Sequence, residues 1–369
     1  MSSLNGSSSA RLTLLGSVLL TFLAASSAPT PLYASYQQAW GFSTFWLTWV
    51  FAVYAFALLA ALLVGGRLSD HLGRRPVILA ALLLEAGAML LFHQAHDLAD
   101  LVLARALQGL ATGIATSALG AALLDVDAER GPWLNSLTPL LGMAIGALGC
   151  GLLVEFAPAP LQLVYRLFLA LFLLQGLALL RLPDSGPRRP GLLAALRPQL
   201  AVPPQARAML WRVLPLELAV WAVGGFYLSL MPALVKAATG TTSILIGGGV
   251  VAGLTLTGAA CLHGLRLWPA ARLLRLGAST LVTGVGFGSG FLGATRSLLP
   301  LAEATQRAGL LDAFYVLSYL AFCLPALAVS ALVPRLGLTG AAELYLVGVI
   351  LLALLGVRNS LPRACVQPG

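Results

Sequence analysis

Charge is what this sequence has least of. Only 9% of its 369 residues are Asp, Glu, Lys or Arg, where a soluble protein carries about 25% to solvate its surface. That scarcity, with 59% hydrophobic residues and a mean hydropathy of +0.91, excludes a water-soluble globular fold and points to an all-α polytopic membrane protein. Lysine is nearly missing as well: Lys236 stands beside 21 arginines, which against 13 acids leave a net charge of +9. Such an excess could serve a nucleic acid, but these arginines fall in short gaps between apolar runs, as they do in cytoplasmic loops. No nucleic-acid partner is therefore expected. Cys150, Cys261, Cys323 and Cys365 are scattered and make neither a metal-ligand spacing nor a disulfide framework, and Cys365 is misplaced for a prenylation box. No metal site is expected. A nucleophile elbow, a metal-binding His/Glu helix and a Walker loop are all lacking, which argues against an enzyme and against an ATP-driven pump.

What is there is a succession of apolar runs long enough to cross a bilayer: 12–34, 44–66, 76–94, 98–124, 133–156, 162–182, 213–235, 243–264, 276–295, 309–333 and 340–357. They are apolar on all sides, so each is expected to be a helix in lipid or in a bundle, where backbone groups must bond within their own segment. Arg11 followed by Leu12 to Ala25 and a patch of small residues resembles a signal peptide. The run's reach to Tyr33 and the number of spans that follow favour a first crossing instead. Arg67, Arg74 and Arg75, then Arg188, Arg189, Arg197, Arg207 and Arg212, then Arg266, Arg272 and Arg275 mark alternate gaps, so the N-terminus is expected in the cytoplasm. The polar stretch 183–212 divides the chain into an N-terminal six-helix bundle, 1–182, and a C-terminal bundle, 213–369.

Within these runs a few residues stand out. Glu85 lies in the apolar stretch Val77–Phe92, and hydrocarbon disfavours an ionised carboxylate, so it is a candidate functional residue. Spans three and four form a hairpin turning near His93 to Asp97. Counted from residue 96, Glu85 and Arg105 lie within about 3 Å in depth at 1.5 Å per residue. They are expected to pair, either as a proton-coupling switch or as a static ion pair; Glu85 could also face a watery crevice. Tyr33 and Gln37, near Pro29 and Pro31, are candidates for a cavity or, for Tyr33, an interfacial anchor. Gln108 is a further cavity candidate. Trp221 and Tyr227 flank Gly224 and Gly225 in span seven. Glu217 reads as a partner for that helix's N-terminal dipole, Asn135, Ser136 and Thr138 as capping residues, and Asp125, Asp127, Glu129 and Arg130 as a solvated gap.

Three elements occur in order. The first is the gap from Gly66 to Arg75, with Asp70, Gly73 and Arg74 between. Its glycines suit a tight turn, and Asp70 can accept bonds from a helix N-terminus or pair with an arginine. Either contact would latch two helices on the cytoplasmic side. The second is Arg105, Gln108, Gly109 and Gly113; the third is Gly142, Gly146, Gly149, Cys150 and Gly151, with small-xxx-small spacings that let helices approach closely. These resemble the major facilitator superfamily (MFS) patterns G-x-L-x-D-x-x-G-R-[RK], R-x-x-Q-G-x-x-x-G and the antiporter signature g-x-x-x-G-P-x-x-G-G. His71 stands where the family often has a basic residue, Ala147 replaces the proline, and Cys150 replaces a glycine.

The resemblance implies an MFS-type fold of two helical bundles rocking about a central site. It implies a secondary transporter of a small solute by alternating access, resembling the proton-coupled efflux branch. Its energy source would be a proton gradient with no cofactor. Its setting would be a bacterial inner membrane, as a monomer among lipids. In the family the arginine of the second element lies towards the central cavity, which marks Arg105. A uniporter or importer, or a non-transporting scaffold or sensor, is the alternative. The family has twelve spans and about eleven are visible, because the ninth is shortened or missing between His263 and Arg296 and leaves the C-terminal bundle incomplete. Eleven complete crossings would put Arg358 outside; the family topology would put it in the cytoplasm.

Overall fold

The computed structural model describes residues 2–360 apart from 158–159, 185, 187, 193–195, 199, 241–242, 266–268, 270–282 and 304–305. Every regular element among them is helical. The first group comprises α1 (Ser2–Ser27), the short α2 (Tyr33–Trp40), α3 (Thr44–Gly65), the short α4 (Leu68–Leu72), α5 (Arg74–Gln94), α6 (Leu98–Val126), α7 (Arg130–Phe156) and α8 (Pro160–Leu179). The second comprises α9 (Pro204–Ser229), the short α10 (Met231–Thr239), α11 (Ile244–Gly264), α12 (Thr283–Leu298) and α13 (Arg307–Ser360). Nine helical segments among the described residues are long and apolar enough to cross a membrane. The last of them folds back on itself at Gly337, where φ is 71° and ψ 168°, a conformation open mainly to glycine. The two arms of α13 and the 16-residue α12 account for the last three expected runs. The segment in which a ninth crossing was sought lies outside the described residues.

The local chemistry explains where helices start. The Asp97 carboxylate accepts the Asp100 backbone N–H at 2.9 Å, and Asp100 in turn accepts the His96 N–H at 2.9 Å. This reciprocal cap satisfies orphan donors at the start of α6 and closes its hairpin with α5. Outward-facing side chains such as Leu83 (68% exposed) and Phe156 (75%) remain uncovered, as a lipid-facing surface requires.

Within the first group α1 packs on α7, α3 on α6, and α5 between α6 and α8; within the second, α9 packs on α12 and α13, and α11 on α12. The groups meet along two seams, α7 against α11 and α3 against α13. Small residues set these approaches. A Cβ at Gly113 would lie 2.6 Å from both the Ala61 Cβ and the Leu58 carbonyl oxygen of α3, and one at Gly142 would lie 2.7 Å from the Leu20 oxygen of α1. On the other side of α7, Gly151 meets Leu245 and the Ala147 carbonyl meets Gly248, both on α11. The antiporter-like glycines therefore serve two partners: Gly142 and Gly146 seat α1, while Gly151 faces the second group.

The placement of the chain ends resolves the conflict over the last crossing. Arg358 and Asn359 line one cleft of about 790 Å³ with Gln205, Trp211 and Arg212 at the start of α9. Gly356 packs against Leu216, and Gln205 donates to Gln306 at 2.9 Å. Arg11 shares another cleft with Arg74, Arg75 and Leu182. The start of α1, the 66–75 turn, the inter-bundle segment and the end of α13 thus share one arginine-rich face, which eleven complete crossings would not allow.

Overpacking a helix contact costs about 1–3 kcal/mol. Gly113→Val should therefore lower the melting temperature of the detergent-solubilised protein clearly. Gly149→Val, where an added Cβ meets nothing within 4 Å, should change it little.

Candidate functional site

Three sequence-selected residues meet in the core of the first group. Glu85, Arg105 and Gln108 are 0%, 1% and 0% exposed. The expected direct ion pair is not formed, because Gln108 stands between the two charges. Its amide donates to Glu85 Oε1 at 3.0 Å, and its carbonyl oxygen accepts from the Arg105 guanidinium. The hairpin count explains the correction: Gln108 lies about one residue from Glu85 in depth and Arg105 about two, on opposite sides. Oε2 of Glu85 has no hydrogen-bond partner among the described residues.

Arg105 is held from several directions. Its Nε donates to the Tyr33 hydroxyl and its Nη1 to the Ser26 carbonyl at 2.9 Å, while Gln108 also donates to the Ala25 carbonyl at 3.0 Å. Ala25 and Ser26 belong to the last turn of α1, whose carbonyls lack helical partners and carry the negative end of the helix dipole. The rings of Tyr33, Tyr54 and Phe92 lie 5.2, 5.1 and 5.9 Å from the guanidinium carbon, a favourable setting for a desolvated cation. Tyr33 is therefore a buried partner of Arg105 and not an interfacial anchor. Gln37 is elsewhere, in α2, bonded to Thr44 Oγ1 at 3.5 Å.

The 66–75 turn is organised around Arg74. Its guanidinium donates to Ser69 Oγ at 2.7 Å, to Asp70 Oδ1, and to Asp125 Oδ2 near the end of α6 at 3.0 Å. Asp125 is exposed, as read from the sequence, and also receives the Arg74 guanidinium. Gly73 adopts φ 98° between α4 and α5, whereas Gly66 has right-handed helical backbone angles, and a Cβ added there would meet the Leu62 carbonyl oxygen. Arg75 reaches the Leu182 carbonyl at 2.8 Å, and its N–H donates to Asp184 at 3.1 Å. His71 Nδ1 lies 2.8 Å from the Arg189 carbonyl, and the Arg189 N–H donates to the Asp70 carbonyl at 3.0 Å. Partial burial disfavours the Asp184 carboxylate, but the N–H groups of Arg75 and Gly186 and the Arg188 side chain outweigh that and hold its pKa below the usual value. A depressed pKa stabilises the docked linker above the ordinary aspartate range, and the contribution is lost as pH falls through the folded value.

In the second group Trp221 and Tyr227 part company. Trp221 stacks with Tyr319 and Phe322, at centroid distances of 4.9 and 5.7 Å. Tyr227 lines a separate groove of about 300 Å³ between α9, α10 and the second arm of α13. Sequence reasoning undervalued Glu217. The helix begins at Pro204, not near residue 213, which puts Glu217 midway along α9 and 0% exposed. The signal was Pro203-Pro204, because proline is favoured at the first helical position.

The structure thus holds two helical groups, a buried Arg/Gln/Glu network beside the seam and a charged turn on one face. The Major Facilitator Superfamily profile matches residues 14–362. The chain belongs to the Major Facilitator Superfamily. Its nine long apolar helical segments among the described residues agree with a multi-pass membrane protein of that family. It is 36% identical over 151 residues to the puromycin resistance protein pur8 of Streptomyces alboniger, covering 40% of this chain and 30% of that one. It is 32% identical over 114 residues to the MFS-type transporter EfpA of Mycobacterium tuberculosis, covering 29% and 21%. The matches thus span less than a third of either relative. The fold is shared with human MFSD10 (TM-score 0.62, 19% identity, 95% of this chain and 99% of that one) and with the nucleoside transporter NupG (0.72, 12%, 95% and 98%).

Gln108→Ala should strip one partner each from Glu85, Arg105 and Ala25. Because each buried unsatisfied group costs about 1–3 kcal/mol, the melting temperature should fall well below that of Gln38→Ala at an exposed position. Asp184→Asn should loosen the linker, read as faster tryptic cutting after Arg188 at neutral pH.

Proposed function

We propose that this protein is a transporter that exports a small solute in exchange for protons, by alternating access of two bundles joined by the segment between α8 and α9, in a bacterial inner membrane, with its N-terminus in the cytoplasm. The observation that carries this reading is Glu85: a fully buried carboxylate with one oxygen bonded to Gln108 and the other lacking a partner among the described residues. Such a group is suited to take up and give back a proton, and its charge is felt by Arg105 through a single amide. The same amide and guanidinium hold the last carbonyls of α1. Since α1 rests on α7, and α7 forms a seam with α11, a change in that grip acts at the interface between the bundles. Similarity to a puromycin resistance protein supports export, because a membrane carrier gives resistance by removing the compound.

The turn around Arg74 is the proposed latch. Asp70 and Asp125 hold its guanidinium on the arginine-rich face, and Arg67 of the same turn lies within electrostatic reach of Asp312 on α13 of the second bundle. Separation of the bundles on that face would break the second contact and leave the first intact.

In proteoliposomes carrying a pH indicator, a transported solute should trigger proton movement through the wild-type protein. Glu85→Gln should reduce that movement at least tenfold while keeping its melting temperature within a few degrees of wild type. A folded Glu85→Gln variant that moves protons at the wild-type rate would overturn the coupling role.

A further inference from the structure

The first bundle's buried acid has a cation close by; among the described residues, the second bundle's does not. Glu217 is 0% exposed, and its Oε1 accepts the Trp221 indole N–H and the Ser318 hydroxyl, the latter at 3.1 Å. Its Oε2 has no hydrogen-bond partner, and no Lys, Arg or His pairs with it, among the described residues. A buried carboxyl group held by neutral donors on one oxygen alone stays protonated or, to ionise, needs a counter-charge brought to it.

The surroundings indicate what could supply it. Trp221 touches the rings of Tyr319 and Phe322, and Phe322 lies 4.9 Å from Phe51 of the first bundle. These rings occupy the α3–α13 seam, so a movement that parts the two helices would separate Phe51 from Phe322 and uncover the Trp221–Glu217 pair. Ring faces are electron-rich and attract cations. Across the seam, Arg105 is enclosed by Tyr33, Tyr54 and Phe92 and engaged by three acceptors, so it is not free to take an anionic ligand. Among the described residues, the buried ionisable group left without a counter-charge is an acid, whose ionised form would accept a cation.

We propose that Glu217, walled by Trp221, Tyr319, Phe322 and Phe51, binds the positive group of an organic cation, which makes the transported solute a hydrophobic or aromatic cation. This rests on the transport reading above. It differs from the role given to Glu85: Glu85 stores a proton beside its own guanidinium, whereas Glu217 takes its counter-charge from the solute.

The test is equilibrium binding of radiolabelled tetraphenylphosphonium to the purified full chain in detergent, with neutral triphenylphosphine oxide as the uncharged probe. Wild type should bind the cation at least tenfold more tightly than the neutral probe. Glu217→Gln should lose that preference, Glu217→Asp should retain part of it, and Glu343→Gln, at an exposed position, should leave it unchanged. Equal cation binding by wild type and a folded Glu217→Gln variant would overturn the proposal, as would a wild type that binds both probes alike or neither. If Glu217→Gln does not fold, the wild-type chain answers alone. Tetraphenylphosphonium should slow carbodiimide labelling of Glu217, read by peptide mass spectrometry, and unchanged labelling overturns the site. Proton movement triggered by a neutral solute in proteoliposomes, without cation binding, would remove this site while leaving the transport reading in place.

Discussion

A guanidinium that is 1% exposed dictates much of the first bundle. Arginine keeps its charge in proteins and offers five N–H donors, so burying one in an apolar interior is tolerable only if the surroundings answer both charge and donors. Here the answer comes from separate parts of the chain: the frayed end of α1, the Tyr33 hydroxyl just beyond it, the Gln108 amide one turn along α6, and three aromatic rings. The turn after α1, the approach of α3 to α6 at Gly109 and Gly113, and the α5–α6 hairpin all contribute to bringing these groups together. Removing any one of them leaves the same cation without its full shell, which ties the geometry of four helices to one side chain.

The two bundles answer the problem of a buried acid differently. In the first, an amide relays a guanidinium to the carboxylate; in the second, an indole and a hydroxyl support the carboxylate and no cation pairs with it among the described residues. The aromatic rings between them make this asymmetry consequential, because they lie where the bundles touch. Charge on the arginine-rich face is arranged on a similar plan, with Arg74 satisfied inside the first bundle and Arg67 reaching towards the second.

Much of this was legible in the sequence, and the parts that were not share a cause. The crossings followed from apolar length, since lipid admits few other spanning forms, and Glu85, Arg105 and Gln108 stood out as polar residues where polarity is costly. Depth along a helix was also readable: counting residues placed Glu85 and Arg105 at nearly one level. Rotation about the helix axis was not, because spans that are apolar all round carry no mark of which face meets a neighbour. The same count offered Gln108 as a nearer partner, but only the packed structure shows that it turns towards Glu85. Glu217 was misread for a related reason: it was judged by its distance from the edge of an apolar run, while α9 extends beyond that edge into polar sequence. Asp125 is exposed as expected, and only its bond to Arg74 went unforeseen.

Among the described residues, the starts of α1 and α9, the Arg74 turn and the end of α13 crowd onto one face, and the opposite face carries the shorter connections around 28–43, 95–97 and 230–240 and the Gly337 kink. An antibody fragment raised against that sparse side would have to grip helix tips themselves. Because helix tips from both bundles are what alternating access would displace, such a reagent would report the separation of the bundles directly. One raised against the crowded face would meet the tethered linker first.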